Sequence, residues 1–329
     1  VKGRNRWQAT GLALLLLAAG AGPAQAAASE PAYPTKPVRF LVPFVPGGGT
    51  DLTARVIAQK LGEVWGQQVI VDNRPGAAGT IAVELTANAT PDGYTLCLIS
   101  ASHTVNAAIN PKLPYDLTRD LTGLSQATSL FYVITVNPSV PARTLKELIA
   151  YAKAHPGKLN FGSSGTGGLQ HFAGELFAYV AGIKIVHVPY KGGAASVAAA
   201  ASGETQIAFT TLTSAGPHIR AGRLRPLAIT GGSRTPAAPD LPTAAEAGLP
   251  GYEVDQWYGV VTSAKVNRAL VRKLSAAIAA AVKSPEVAKR LAAEGSTPVG
   301  SDSEAFSAHI RSEVAKWRKL VQEAGLKMQ

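Results

Sequence analysis

Three short stretches of this chain set glycines beside hydroxyl residues where an apolar run gives way to a helical pattern. They are Pro46-Gly47-Gly48-Gly49-Thr50, Gly76-Ala77-Ala78-Gly79-Thr80 and Ser163-Ser164-Gly165-Thr166-Gly167-Gly168. Without a Cβ the backbone can come close to a guest, and the first free N–H groups of the next helix present partial positive charge. Such turns suit an anion. Any one of them is equally a plain tight turn, but three in two α/β halves favour a ligand. None runs into Gly-Lys-Ser/Thr, which excludes a Walker-type nucleotide loop, and none has the spaced glycines of a dinucleotide fingerprint. A carboxylate held by amides and hydroxyls fits these residues better than a phosphate held by lysine.

The residue sets that catalysis needs are thin. Gly162-Ser163-Ser164-Gly165 does not match the Gly-x-Ser-x-Gly elbow, so the hydroxyls of Ser163, Ser164 and Thr166 read as ligand donors. His103, His155, His171, His187, His218 and His309 include no pair at i, i+4 and no His-Glu-x-x-His, and no metal site is expected. His171 lies one turn into a helix beside the Ser-Gly loop and either faces a ligand or caps and packs. Asp51 falls in the first turn of a helix, where it offsets the dipole or holds the loop; that structural role is favoured, because a free carboxylate repels an anion. Cys97, the only cysteine, excludes an internal disulfide and sits in the apolar run Thr95-Leu96-Cys97-Leu98-Ile99 as a buried small hydrophobe. Neither a cofactor nor an enzymatic activity is expected.

The elements that hold these residues follow the grammar of a parallel-sheet α/β protein, with short apolar runs alternating with helical patterns. Strands over 38–44, 68–71 and 95–100 with helices over 52–65 and 80–89 form one doubly wound half. Strands over 159–162, 185–188, 206–210 and 224–230 form another, with helices over 145–154 and 169–181, an Ala-rich helix to about 201 and a short helical turn over 217–221. A strand over 258–261 and helices over 266–283, 285–294 and 303–324 then need a sheet to lie on, so the chain returns to the first half. Two segments, near 121–136 and 224–257, cross between halves and form a hinge. The expected organisation is a leader over 1–26, a discontinuous first domain over 31–133 and 252–329, and a second over 134–251.

Lys2, Arg4 and Arg6, the apolar run 11–21 and Ala24-Gln25-Ala26 have the layout of a secretory signal cleaved near Ala26, which implies export. The chain carries +11, of which three charges lie in that leader without an accompanying acid, and the remainder steers anions or keeps the protein soluble. No run of five cations occurs and the cations are not interleaved with aromatics, so nucleic acid is not an expected partner.

In this order the chain carries Tyr33-Pro34-x-Lys36-Pro37-Val38-Arg39, Pro43-Phe44-x-Pro46-Gly47-Gly48-x-x-Asp51, Asn73-Arg74-Pro75-Gly76-Ala77-x-Gly79, Pro91-Asp92-Gly93-Tyr94-Thr95-Leu96, Phe161-Gly162-Ser163-Ser164-Gly165, His187-Val188-Pro189-Tyr190-Lys191-Gly192-Gly193 and Pro217-His218-Ile219-Arg220-Ala221-Gly222. Together they resemble the substrate-binding proteins of tripartite tricarboxylate transport systems, the Bug family of periplasmic receptors. The resemblance implies a monomeric Venus-flytrap receptor of the type II periplasmic-binding-protein fold, which hands a small carboxylate to membrane permease subunits. It also implies ligand positions at Phe44, Gly48, Gly49, Asp51, Ala77, Gly79, Ser102, His103 and Thr104 on one side, and at Ser163, Ser164, Thr166 and His171 on the other. Two departures stand out. Phe209-Thr210-Thr211 replaces the Phe-Asp-Asn common in relatives, so Thr210 offers no acid to a ligand ammonium and a non-amino carboxylate is expected. Ala78 stands where glycine is common and narrows the space above its turn. A receptor that presents solute to a signalling sensor would use the same crevice, and an exported serine hydrolase would need Ser163 or Ser164 partnered by His and Asp.

Overall fold

The computed structural model describes residue 1 and residues 33–293 and 295–323; the expected leader and its cleavage site lie outside the described residues. The chain opens with β1 (Val38–Val42), α1 (Gly49–Trp65), β2 (Val69–Asn73), a 3-10 turn (Ala77–Gly79), α2 (Thr80–Ala87), β3 (Thr95–Ser100) and α3 (Ala101–Ile109). β4 (Leu121–Val136) leads to α4 (Leu145–Ala154), β5 (Asn160–Ser163), α5 (Leu169–Ala181), β6 (Val186–Pro189), α6 (Gly193–Ser202), β7 (Ile207–Thr211), α7 (Leu212–Arg220) and β8 (Arg225–Ile229). The return is β9 (Asp255–Ser263), α8 (Arg268–Lys283), α9 (Pro285–Ala293), β10 (Thr297–Pro298) and α10 (Ser303–Glu323).

The strands form one continuous sheet in the order β2-β1-β3-β9-β4-β7-β5-β6, with β8 and β10 also on β4. Pairs β1/β2, β1/β3, β5/β6 and β5/β7 are parallel, while β9 and β4 enter antiparallel. Parallel strands are covered on both faces, which is why β1 reads as an apolar run broken only by Arg39 and why Val38, Phe40, Leu41 and Val42 are fully buried. β4 is the element that makes one sheet of two halves. Its first part, from Leu121 to Phe131, pairs with β9, and its last part, from Tyr132 to Val136, pairs with β7. At about 3.3 Å per residue its 16 residues reach roughly 50 Å, enough to serve both halves.

The closing helices lie on the first half: α8 and α9 against α1, and α10 against α3 and β4. Phe306 anchors α10 by packing edge-on to Trp257, with ring centroids 5.5 Å apart. Gly123 and Gly259 leave the room that this ring occupies. Among the described residues no helix is long and apolar enough to cross a membrane.

Candidate ligand-binding site

A crevice lies over the middle of β4, where the strand ends of both half-sheets meet. Register brings its floor together: Ser100 of β3 pairs with Tyr258 of β9, and Tyr132 of β4 with Thr211 of β7. The buried Gln256 ties these strands, for its Oε1 accepts from the N–H groups of Ala101 (3.2 Å) and Trp257 (2.9 Å) while its Nε2 donates to Tyr132 Oη (2.7 Å). Burial, reinforced by the neighbouring Tyr258, holds the Tyr132 phenol well above its ordinary pKa, so it stays a neutral hydroxyl.

The walls are the starts of five helices. Gly49 and Thr50 open α1, Ser102 and the capping Ser100 open α3, Gln170 opens α5, Gly193 opens α6, and Ser214 with the capping Thr211 opens α7. Phe44, Val45 and Gly48 complete one side, and Ser164 and Thr210 the other. No lining side chain carries a charge at neutral pH. The field in the crevice therefore comes from aligned peptide dipoles, each N-terminus worth about half a positive charge.

In the first turn Asp51 is almost wholly buried and points away from the crevice. Its carboxylate accepts from Gly47 N–H (3.0 Å), Arg55 Nε (2.9 Å) and Asn73 Nδ2 (3.0 Å), and Asn73 also donates to the Phe44 carbonyl (2.9 Å). Burial alone would raise this carboxyl, but the bonds from Arg55, Gly47 and Asn73 and the Arg55 charge hold it below its ordinary value. Asp51 thus fixes the loop that presents α1. Gly49 is required by a close approach, since a Cβ there would lie 2.6 Å from Tyr258 Oη and 3.4 Å from Thr211 Oγ1.

The second turn is at the rim. Ala77 is exposed, and Ala77 and Ala78 both adopt left-handed backbone (φ 47° and 53°), at a cost of about 1–2 kcal/mol each. Gly79 rests against the His103 ring, whose Nδ1 accepts from Ser100 N–H (3.0 Å) and whose Nε2 is buried without a partner. Burial pushes His103 down to about 4, so the ring is neutral. Thr104 Oγ1 donates to the Ala101 carbonyl (2.8 Å) inside its own helix.

In the third turn the two serines part company. Ser164 lines the crevice, whereas Ser163 Oγ is buried, lies 2.6 Å from His187 Nε2 and accepts from Gly165 N–H (3.1 Å). His171 stacks on His187 with centroids 3.9 Å apart and accepts at Nδ1 from Gly167 N–H (3.3 Å). Both rings are pushed down to about 4 by burial, and His171 further by His187. The Ser163–His187 contact is the nearest approach to a nucleophile pair, yet the hydroxyl faces protein. The only histidine–carboxylate pair among the described residues is His171–Glu175 (3.7 Å), so no acid orients His187. Thr166 is exposed.

Of the positions named from sequence, the structure gathers Phe44, Gly48, Gly49, Ser102, Ser164 and Thr210 around the crevice. Asp51, Gly79, His103, Thr104, Ser163 and His171 lie behind it, and Ala77 and Thr166 at its edge. Sequence reasoning did not single out Tyr132, Gln170, Ser214, Gln256 or Tyr258. Thr50, Gly193 and Thr211 were visible as parts of quoted motifs.

The halves touch. Leu169 N–H donates to Ser102 Oγ across the crevice (3.0 Å), and Gly165 backs onto Ala78. The cavity left between them has a volume of about 40 Å³.

Comparison with known proteins agrees with this architecture. Residues 53–326 match the model of the tripartite tricarboxylate transporter family receptor, and the chain belongs to that family. A solved periplasmic transporter is 40% identical with a TM-score of 0.87, covering 91% of this chain and 100% of its own. A Rhodopseudomonas palustris protein solved with adipate is 35% identical (TM-score 0.86; 89% and 98% covered). MatC from the same organism, solved with bound malate, is 29% identical (TM-score 0.83; 88% and 100% covered). The fold is that of a two-domain periplasmic binding protein.

Proposed function

We propose that this protein is an exported periplasmic receptor that closes on a small linear dicarboxylate lacking an amino group and passes it to the permease subunits of a tripartite transporter. The observation that carries the reading is the convergence of five helix N-termini on a crevice without a charged side chain. One carboxylate end meets the starts of α1 and α3, and the other meets those of α5, α6 and α7. Because no acid lines the walls, an amino acid's ammonium would be desolvated without a partner, which costs several kcal/mol. The adipate and malate held by the relatives are of this class. Residues 31–133 and 252–329 act as one lobe and 134–251 as the other, with β4 and the 224–257 segment as the hinge. The Leu169–Ser102 bond is one that opening would break.

A thermal-shift panel tests this reading. Malate, succinate and adipate at about 100 times Kd should each add about 2.7 kcal/mol of stability, with aspartate and glutamate adding far less. Stabilisation by a neutral sugar with none from any diacid would sink it. Retention of the loaded protein by membranes that carry the cognate permease, and its loss when those subunits are deleted, tests delivery.

A further inference from the structure

A second cavity, of about 310 Å³, lies where β4 and β9 pair beside α10. Its chemistry is the reverse of the crevice. In a chain with an excess of cations it collects Glu253, Asp255 and Glu313, opposed by Lys316, whose Nζ lies 3.4 Å from Glu313 Oε1. The carboxylates of Glu253 and Asp255 form no ion pair or side-chain hydrogen bond among the described residues. Glu313 is only 6% exposed, and its Oε2 has no partner. A buried carboxylate oxygen left unpaired is destabilising, and a donor from a guest would satisfy it.

We infer that this cavity binds an elongated organic cation bearing ammonium or guanidinium groups. The aromatic walls Phe131, Trp257 and His309 suit such a guest, with Trp257 and His309 edge to face at 5.3 Å. His309 offers no competing charge, since burial pushes its pKa below the ordinary value. Burial raises the Asp255 carboxyl; Lys316 opposes that rise and Glu253 and Glu313 add to it, so a cation between these acids is favoured. A spherical metal ion fits poorly, because no three acidic or imidazole groups among the described residues converge on one point. Separated carboxylates match a guest with donors at both ends.

Agmatine, which has an ammonium at one end and a guanidinium at the other, is the probe for calorimetric titration of the protein at low salt. Saturable binding is expected, weakened about tenfold by Asp255→Asn and by Glu313→Gln. It should be unaffected by Glu304→Gln at the exposed start of α10 and by excess malate. Circular dichroism melts of each variant establish that it is folded. Three results would each overturn the proposal: no saturable heat; equal affinity in the Asp255→Asn and Glu313→Gln variants; or an isotherm abolished by malate, which would put the probe in the crevice. The malate measurements stand on their own, so failure here leaves the carboxylate reading untouched.

Discussion

The turn from Gly47 to Thr50 and the turn from Ser163 to Gly168 look alike in sequence but serve the crevice by different means. The first gives it backbone: Gly48, Gly49 and Thr50 all line the space, and the one side chain able to repel an anion, Asp51, is turned back to hold the loop. The second gives it a single hydroxyl, Ser164, and spends that of Ser163 on the half-buried imidazole of His187. Glycine beside a hydroxyl residue therefore marks a place where a helix begins at the crevice. Which polar groups reach into it depends on what stands behind the turn.

Substitution at Gly49 should separate the two turns most sharply. Its φ lies outside the left-handed region, so Gly49→Val is tolerated by the backbone, but the new side chain collides with Tyr258 Oη and then Thr211. Loss of diacid affinity of about 100-fold, roughly 2.7 kcal/mol, is expected by calorimetry, with the melting temperature little changed. Undiminished binding would remove this turn from the site.

Acid should act on the second turn before the first. His171 and His187 are held near 4, below the ordinary value of about 6.5, so the unfolded chain binds more protons between these limits. Their contribution to stability is complete above about 6.5 and fades as pH falls through about 4. Linkage from the well-buried His171 alone is on the order of 2–3 kcal/mol. Wild-type melting temperature should fall between pH 6.5 and 4, and His171→Gln should flatten that limb. Parallel curves for the two proteins would contradict the burial assignment.

Much of this arrangement was legible in the residues, and what escaped has identifiable causes. The run 38–44 announced β1, and the glycines after it announced a turn, although α1 begins at Gly49 rather than near Leu52 because Gly48 in extended backbone serves as its cap. The crossing near 121–136 was expected as a connection and is a strand throughout. Over 217–221 a short helical turn was expected. Thr211 caps a helix that starts five residues before Gly216's successor, at Leu212, and carries the proline inside it. Tyr132, Gln256 and Tyr258 were invisible as site residues because sheet pairing over more than a hundred positions, not spacing, brings them together.

Asp51→Asn probes the support of the first turn. It removes the buried charge that Arg55, Gly47 and Asn73 satisfy, and about 1–3 kcal/mol of stability should be lost, read from denaturant unfolding. The carboxyl is held below its ordinary value in the folded state, so its contribution is full above about 4 and lost as pH falls through the lower folded value. The difference between wild type and variant should therefore shrink in acid. A constant difference down to pH 2 would show that the charge is not what matters.

The smallest effects separate the two serines. Ser163→Ala leaves His187 Nε2 without its 2.6 Å partner in a half-buried setting, so about 1 kcal/mol of stability should go while diacid affinity holds. Ser164→Ala should do the reverse, costing about 1 kcal/mol of binding, some fivefold in Kd, with stability unchanged. If both variants lost affinity equally, Ser163 would have to reach the ligand in solution. Its hydroxyl would then be free to leave His187, and the division of labour between backbone and side chain at this turn would have to be redrawn.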